Sequence, residues 1–318
     1  MNTFAFFSKK SSNNLTIIST LKRDISNKYV YNLLVENFSS NKVIFLESYI
    51  VNYFYRLIFK LSKFVKPFSF FIANVEWIHR ENPKKKYGTI YNFDEKYYRS
   101  PKKIKIPYEY KQYFNNWKKK NNLTKKIVCL HARENYYYNE KSENPRNFNF
   151  RDFEYLIKKL IKKNYFVVRL GQKTKKIDLN IDKNFLDLWH VEKNNKKYQL
   201  LEMMLVQSSE FIVTSVGGFD AYAALFNKKI FQINHFPGGR LPSYNKCVFI
   251  PQLYLKNNKI INFREIPEEI LLSENLDDLK KRNIKLRKNS INEISDIVLK
   301  NINKIYGKNL KDKKYKVE

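Results

Sequence analysis

The chain has few glycines, few cysteines and no long uninterrupted apolar run. It contains 7 glycines in 318 residues, against an average near ~7% of positions. Five of the seven lie between Gly171 and Gly239. Clustered glycines in a glycine-poor chain mark backbone that turns sharply or lets a ligand approach closely. The stretch from Lys126 to Asn234 is therefore where we expect the functional site.

The cysteines and the apolar segments restrict the class of protein. Cys129 and Cys247 lie in apolar runs, as expected of buried free thiols in a reducing compartment, and no Cys–His spacing of a metal site occurs. Four basic residues and a proline interrupt the most apolar long window, residues 49–78, whereas a spanning helix needs about 20 mostly apolar residues. The N-terminal residues do not follow the signal-peptide pattern. We therefore expect a cytoplasmic protein.

Acidic residues are about half as common as basic ones. The chain has 61 Lys and Arg against 30 Asp and Glu, a net charge of +31. Such a charge indicates an anionic partner, whether phosphate, nucleic acid or an acidic membrane. It is equally typical of a compositional bias, because lysines are spread from Lys9 to Lys316. The content of 43% hydrophobic and 16% aromatic residues is ample for a packed core, and the length suits two domains.

Strand-like and helix-like segments alternate in the first part of the chain. Residues 15–20 and 42–47 are short β-branched or apolar runs, and each precedes a helix-length stretch, at 24–37 and 48–64. This alternation predicts βαβ units and a parallel sheet. The basic, aromatic helix over 48–64 packs inside this domain or lies on a membrane face. A polar, lysine-rich linker from about residue 82 and a short helix near 110–120 lead to a second domain.

The second domain repeats the alternation more clearly. Asn149 is a candidate helix cap, and an apolar stripe at helical spacing follows it. After Pro251 we predict two helical segments, the later one opening with the capping box Ser290–Glu293. The predicted strands cover residues 127–131, 165–170, 211–214 and 230–234, and the predicted helices cover residues 198–208 and 219–226. The apolar stripe consists of Phe153, Leu156, Ile157, Leu160 and Ile161.

These patterns predict an α/β protein with two Rossmann-like, doubly wound domains facing a cleft, followed by C-terminal helices. The predicted N-terminal α/β domain covers residues 1–120. The second α/β domain covers 121–275, and residues 276–318 form helices and a basic tail.

Polar residues follow each of three predicted strands of the second domain. In open α/β sheets, ligands bind outside the carboxyl ends of the strands. The candidate residues are therefore, strand by strand, His131, Arg133 and Glu134; Arg169, Gly171 and Gln172; and Thr214, Ser215, Gly217 and Gly218.

Each of these residues has a functional and a structural interpretation. The start of the helix after Ser215 favours phosphate, although it matches neither a Walker loop nor G-x-G-x-x-G, and a capped tight turn gives the same pattern. An arginine at the sheet rim can bind a diphosphate bidentately; Arg133 can equally pair with Glu134 or Glu140. His131 is either a base or a hydrogen-bonded core histidine.

The candidates for a general base are less defined. Acidic residues near the strand exits are Glu134, Asp187 and Glu202, whereas Asp220 in the first turn of a helix indicates a structural role. Glu76 and His79 of the first domain are further candidates. The segment 235–240, with His235 and Arg240, is a substrate-contacting loop or a plain turn.

Four segments of the second domain follow one another in a specific order: VCLHARE, RNF at 146–148, YFVVRLGQ and LLEMMLVQSSEFIVTSVGG. Together they resemble a family of bacterial glycosyltransferases linked to surface-polysaccharide genes, over roughly a third of the chain. Glu134, Gln172 and Glu202 stand where the family pattern has Asp. The matching positions are His131, Arg133, Arg146, Asn147, Arg169, Gly171, Glu202, Thr214, Ser215 and Gly217.

The H-x-R element is also similar to the donor-diphosphate arginine of fucosyltransferase-like enzymes with two Rossmann-like domains, the GT-B architecture. This resemblance implies that Arg133 stabilises the leaving nucleoside diphosphate, helped by the helix start at 214–218. It also implies that no metal is needed and that the first domain holds the acceptor. The implied catalytic residues are Arg133, His131 and Glu134; the implied donor-binding residues are Arg169, Gly171, Gln172, Thr214, Ser215, Gly217 and Gly218; a substrate loop would include Arg146, Asn147, His235 and Arg240.

We therefore expect a metal-independent glycosyltransferase that uses a nucleotide-sugar as co-substrate, needs no other cofactor and builds a cell-surface glycan. The acceptor would be a glycan or a lipid-linked precursor, and the basic surface would allow peripheral contact with an acidic membrane. Two alternatives remain. A non-catalytic carbohydrate- or phosphate-binding protein with a degenerate site is one, and a nucleic-acid-binding protein with steeply salt-dependent affinity is the other.

Overall fold

The computed structural model describes residues 16–20, 27–39, 43–47, 104–134, 144–177, 183–238, 246–273 and 275–303. The chain divides into two compact units, Met1–Pro107 and Tyr108–Glu318. The division comes just before the helix predicted near residues 110–120, which the sequence placed in the first domain. The helix predicted over residues 48–64 lies outside the described residues.

In the first unit, a helix joins two parallel strands. Strand β1 (Thr16–Thr20) pairs in parallel with β2 (Val43–Glu47), and helix α1 (Lys28–Phe38) lies between them in the chain. The Asn27 side chain caps α1 by accepting hydrogen bonds from the backbone N–H groups of Tyr29 and Val30, which satisfies two of the donors left over at a helix start. The βαβ pattern predicted for this segment is confirmed.

The second unit contains a six-stranded parallel sheet, so the predicted α/β class is confirmed. None of the described helices combines the length and apolarity that crossing a membrane requires. The strands of this sheet are β3 (Lys126–His131), β4 (Tyr165–Leu170), β5 (Phe185–Asp187), β6 (Phe211–Ser215), β7 (Lys229–His235) and β8 (Cys247–Pro251). The helices beside them in the chain are α2 (Tyr108–Lys120), α3 (Glu154–Lys162), α4 (Leu188–Glu192), α5 (Tyr198–Ser208) and α6 (Gly218–Leu225).

The strand order makes this sheet doubly wound. The order is β5-β4-β3-β6-β7-β8, and every neighbouring pair is parallel. The chain therefore begins in the middle of the sheet with β3, moves outward to β5, returns to β6 beside β3, and moves outward again to β8. The order reverses between β3 and β6, and open sheets of this kind bind ligands outside the strand ends at such a switch point. His131 pairs with Thr214 in the β3–β6 register.

The strands are apolar runs because the sheet is covered on both faces. All five residues of β6 are buried, as are the inner four of β3. The predicted stripe on α3 packs into the same core, with Phe153, Leu156, Ile157 and Leu160 at 0% exposure. Asn149 caps a 3₁₀ turn, Phe150–Phe153, that precedes the α-helix, so the predicted cap is correct but the helix proper begins at Glu154.

The prediction for the segment after Pro251 was wrong in part. Besides helices, the segment contains an antiparallel sheet of three short strands. Strands of two to four residues are too short to show a periodic pattern, which is why the sequence did not reveal them. The capping box of Ser290 and Glu293 is confirmed, with both of its hydrogen bonds present. The elements are β9 (Leu253–Lys256), β10 (Lys259–Ile260), the 3₁₀ turn Phe263–Glu265, α7 (Glu268–Leu272), α8 (Leu276–Lys281), β11 (Ile284–Arg287) and α9 (Ile291–Asn301).

Candidate functional site

Three of the strand exits predicted from the sequence meet at the carboxyl edge of the sheet. Nδ1 of His131, at the end of β3, lies 3.0 Å from Oγ1 of Thr214 at the end of β6. Two residues further on, the backbone N–H of Arg133 donates to Oγ of Ser215 at 2.6 Å. The third exit is that of β4, where a Cβ added at Gly171 would lie 3.4 Å from Cδ2 of the His131 ring. The residues form one group at the switch point between β3 and β6.

The His131 ring lies between two glycine turns. A Cβ at Gly217 would be 3.6 Å from Cε1 of the ring, and the Phe219 ring centroid is 4.3 Å from that of His131. Burial, together with the positive charge of Arg169, lowers the pKa of His131 to about 3, so the ring is neutral at physiological pH. Because the Thr214 hydroxyl donates to the carbonyl of Ser215 at 2.8 Å, it accepts from Nδ1–H of His131, and Nε2 is left as the acceptor.

The backbone of Arg133 is held on both sides. Its N–H donates to Ser215, and its carbonyl oxygen accepts from the N–H of Phe148 at 2.9 Å. The second bond brings the segment with Arg146 and Asn147 beside the end of β3. These contacts fix where the Arg133 side chain leaves the main chain.

The segment with Arg146 and Asn147 is also fastened to the end of β7. Gln252, which is 2% exposed, donates to the carbonyls of Pro145 at 2.6 Å and Asn234 at 3.1 Å. Its own backbone N–H donates to the carbonyl of His235 at 3.2 Å. His235 is 4% exposed. The structure therefore brings three of the four predicted loop residues to the same edge of the sheet.

Arg169 is the centre of a buried ion-pair network. It is 1% exposed, and its guanidinium donates to the carboxylates of Glu134 at 2.6 Å and Asp187 at 2.7 Å. It also donates to the carbonyl of Lys175 at 2.9 Å and lies 4.4 Å from the Phe150 ring centroid. Glu134 thus pairs with Arg169, whereas the sequence offered it as a partner for Arg133. These contacts give both residues a structural role that the sequence did not reveal.

The turn after β4 is fastened to helix α5. Gly171 has φ +120°, in the region that favours glycine. Its N–H donates to Glu202 at 3.2 Å, its carbonyl accepts from the Tyr198 hydroxyl at 3.0 Å, and the Gln172 side-chain amide donates to Glu202 at 3.3 Å. Burial raises the pKa of Glu202 to about 7, although the hydrogen bonds from Gln172 and Gly171 act to lower it. Glu202 is therefore a buried carboxyl that titrates near neutrality.

Helix α6 begins at the switch point with the pair Gly217 and Gly218. Gly217 is the N-cap and has no side chain that could cap the helix. The space beside Gly218 is open, because a Cβ added there would meet no atom within 4 Å. The Asp220 carboxylate accepts from the N–H of Ala221 at 2.8 Å and from the side-chain amide of Gln232 at 2.6 Å. Burial raises the pKa of Asp220 to about 6. The helix start offers an open approach for an anion, with one carboxylate in its first turn.

Other predicted candidates lie outside this group. Arg240, Glu76, His79 and Glu140 are outside the described residues. Within the described ranges, no three His, Cys, Asp or Glu side chains are grouped so as to hold a metal ion.

The sequence analysis missed Tyr198 and Gln252. It named Asp187 as an acidic candidate but not as an ion-pair partner. Tyr198 and Glu202 are four residues apart and lie on one face of α5, so their spacing was a signal for a shared contact. Asp187 and Gln252 meet their partners across the sheet, and no local pattern indicates those contacts.

The fold is a doubly wound parallel sheet with a group of polar residues at its switch point. Neither a family model nor a curated protein matches the chain. It is similar to solved structures that include E. coli ADP-heptose lipopolysaccharide heptosyltransferase II (17% identity over 57% of this chain and 54% of that chain, TM-score 0.36). A glycosyl transferase family 9 protein from Veillonella parvula is 12% identical over 58% of this chain and 53% of that chain, with a TM-score of 0.34. E. coli heptosyltransferase WaaC with ADP is 9% identical over 56% of this chain and 44% of that chain, with a TM-score of 0.27. The matched part spans about half of these solved chains.

Proposed function

We propose that the chain is a glycosyltransferase that takes a sugar from a nucleotide-sugar donor, with the donor diphosphate bound at the switch point. The observation that carries the proposal is the direct bonding of the β3 and β6 exits, His131 to Thr214 at 3.0 Å and Arg133 to Ser215 at 2.6 Å. The switch point of a doubly wound sheet is where such sheets bind nucleotides.

Arg133 has the central role in this proposal. A nucleotide-sugar loses a nucleoside diphosphate as the glycosidic bond forms, and negative charge collects on the departing phosphates. A guanidinium fixed beside them stabilises that charge, and its planar fork matches two phosphate oxygens. Both backbone bonds of Arg133 limit its freedom before the donor arrives, which lowers the entropy cost of binding.

The start of α6 supplies the second set of contacts. Backbone N–H groups at a helix start attract phosphate, and Gly217 and Gly218 let an anion come close to them. Gln172, in the turn after β4, completes the proposed set. The hydroxyls of Thr214 and Ser215 and the backbone of Gly171 are buried and already hydrogen-bonded, so they position the site and do not touch the donor. His131, neutral at physiological pH, serves as a hydrogen-bond acceptor through Nε2.

The acceptor side of the proposal rests on the resemblance of the motifs to surface-polysaccharide glycosyltransferases. We propose a cell-surface glycan or a lipid-linked precursor as acceptor, held by the first unit. Transfer would need no metal and would take place at the cytoplasmic face of an acidic membrane, where the basic chain is attracted.

A non-catalytic sugar- or phosphate-binding protein is the second candidate. The observation that favours it is the state of the acidic groups at the site. Glu134 forms an ion pair with Arg169 at 2.6 Å. Glu202 is 3% exposed and accepts a hydrogen bond from the N–H of Gly171 in the turn after β4. Such a protein would bind a nucleoside diphosphate or a sugar and turn over no donor.

The test is a thermal-shift and calorimetric titration with UDP, GDP and ADP, followed by Arg133→Ala. We expect one base to be preferred in the wild type and Arg133→Ala to weaken binding by about 2–4 kcal/mol, since a charge-assisted contact to phosphate is lost. Arg151→Ala is the matched control, because Arg151 is an exposed arginine of the 3₁₀ turn before α3. Unchanged binding by Arg133→Ala would remove the central assignment.

Two further measurements separate the alternatives: an activity assay with nucleotide-sugars and a titration with duplex DNA. Donor hydrolysis or transfer by the wild type excludes the non-catalytic candidate. Generic duplex DNA that binds more tightly than every nucleoside diphosphate, with affinity falling steeply as salt rises, would instead favour a nucleic-acid-binding protein.

A further inference from the structure

Glu202 is a carboxyl group buried without a countercharge. It lies in the middle of α5, is 3% exposed, and its neighbour Met203 is at 0%. In the described part of the chain, none of the ion pairs includes Glu202. A buried carboxyl is costly unless hydrogen bonds offset its desolvation, so the groups that it does contact indicate what it is retained for.

Those contacts belong to one turn. Glu202 accepts from the N–H of Gly171 and from the side-chain amide of Gln172, and Tyr198 donates to the carbonyl of Gly171. Tyr198 and Glu202 lie four residues apart on one face of α5. Helix α5 therefore holds the N–H and the carbonyl of the same glycine.

The Gly171 turn also packs against one side of the His131 ring. A Cβ at Gly171 would be 3.4 Å from Cδ2 of the ring, and one at Gly217, on the other side, would be 3.6 Å from Cε1. The ring also contacts Phe219, at 4.3 Å between centroids, and Thr214, at 3.0 Å. If the Gly171 turn moves, the ring loses its packing contact on the β4 side.

We propose that Glu202 is a positioning residue: it fixes the Gly171 turn against the His131 ring and so sets where that ring lies at the switch point. A role as general base does not fit, because both carboxylate oxygens of Glu202 are occupied and the residue is almost fully buried. The effect on donor binding rests on the proposed function, whereas the effect on the ring does not.

The experiment uses the full chain with Glu202→Gln and Tyr198→Phe, which remove the charge and the hydroxyl that hold Gly171. Tyr113→Phe is the matched control, since the Tyr113 hydroxyl bonds to Asn195 at 3.1 Å and does not touch the turn. Met203→Ala is a second control, because it creates a cavity in the same helix and lowers global stability.

Two measurements are made on each protein. The first is the ¹H–¹³C NMR signals of the His131 ring without ligand; the chain has four histidines, and His131→Gln assigns the signal. The second is the dissociation constant for UDP, GDP and ADP.

We expect Glu202→Gln and Tyr198→Phe each to shift the His131 signals and to weaken binding of the preferred nucleoside diphosphate by about tenfold. Neither control should shift the signals. His131 signals that stay unchanged in both variants overturn the proposal. If Glu202→Gln does not fold, Tyr198→Phe decides alone. If no nucleoside diphosphate binds even to the wild type, the proposed function fails and the ring signals still decide the positioning role.

Discussion

At the scale of single residues, Arg169 shows why an arginine at a strand exit need not face a ligand. It lies in β4 one residue before the end of the strand, and two carboxylates at 12% and 15% exposure hold it at 2.6 and 2.7 Å. The backbone of Arg133, also near a strand exit, is bonded to Ser215 and Phe148. The resemblance implied a catalytic role for Arg133 and a donor-binding role for Arg169, and the ion pairs of Arg169 with Glu134 and Asp187 give Arg169 a structural role.

The first prediction follows from this burial. Arg169→Met should lower the free energy of unfolding by about 3–5 kcal/mol, because it leaves Glu134 and Asp187 as buried carboxylates without their partner. Arg282→Met is the control: Arg282 pairs with Glu269 at 2.6 Å, but these side chains are 48% and 61% exposed, so a loss under about 1 kcal/mol is expected. Urea unfolding measures both. Similar losses in the two variants would show that the buried network does not stabilise the fold.

At the scale of elements, helices α5 and α6 each carry one acidic side chain near the site: Glu202 is buried and Asp220 is partly buried. Glu202 of α5 holds the Gly171 turn, and Asp220 of α6 lies in the first turn of its own helix and accepts from Gln232 of β7. In both, burial raises the pKa, to about 7 for Glu202 and about 6 for Asp220. We therefore expect both carboxyl groups to change their charge within the physiological pH range.

The second prediction concerns stability and pH. The pKa of Glu202 is raised on folding from an ordinary value of 4.5 to about 7, so the folded state binds its proton more tightly than the unfolded state does. The associated stability is fully present below pH 4.5 and is lost as the pH rises through about 7, a loss on the order of 3 kcal/mol. Glu202→Gln should flatten this decline. Urea unfolding between pH 5 and 8 measures it, and an equally steep decline in the variant would contradict the assignment.

The third prediction concerns the anion site at the start of α6. An ionised Asp220 opposes an anion there, so Asp220→Asn should tighten nucleoside-diphosphate binding roughly two- to fivefold at pH 8. At pH 5, below the pKa of about 6, Asp220 is largely protonated and the gain should vanish. Calorimetry at both pH values tests this. Glu154→Gln, in the first turn of α3, is the control, and weaker binding by Asp220→Asn would mean that its charge serves the ligand.

At the scale of the whole molecule, the order of the strands places the site. Because the sheet starts at β3 and reverses beside it at β6, the residues after these two strands are neighbours although 83 positions separate His131 from Thr214. The core of the second unit is built from residues between Val128 and Val298. All residues of the site group are in this unit.

The fourth prediction follows from that arrangement. A fragment of residues 108–318, the second compact unit, should unfold cooperatively by itself and keep the donor site. With ligand at 100 times its dissociation constant, the preferred nucleoside diphosphate should stabilise the fragment by about 2.7 kcal/mol, a rise in Tm of roughly 5–10 °C. Differential scanning calorimetry measures both. A fragment that melts without cooperativity, or that binds no ligand bound by the full chain, would show that the site needs the first unit.

Much of the second unit was predictable because its signals are local. The strands 165–170 and the helix 198–208 have the predicted bounds, since each is a run of one periodicity between breakers. The short strands after Pro251 and the three-residue edge strand β5 carry too few residues for a pattern. The other edge strand, β8, has five residues, as many as β6, and its apolar run was a signal that the sequence analysis did not use.

The amino-acid sequence by itself determined the α/β class, the periodic elements and the polar residues at the strand exits, because periodicity, capping and turn chemistry act over a few residues. Only the tertiary structure decided which exits meet and which charges are taken up inside the protein. Strand order brought His131 beside Thr214, and burial joined Arg169 to Glu134 and Asp187. Such pairings depend on contacts between residues far apart in the chain, and no local pattern encodes them.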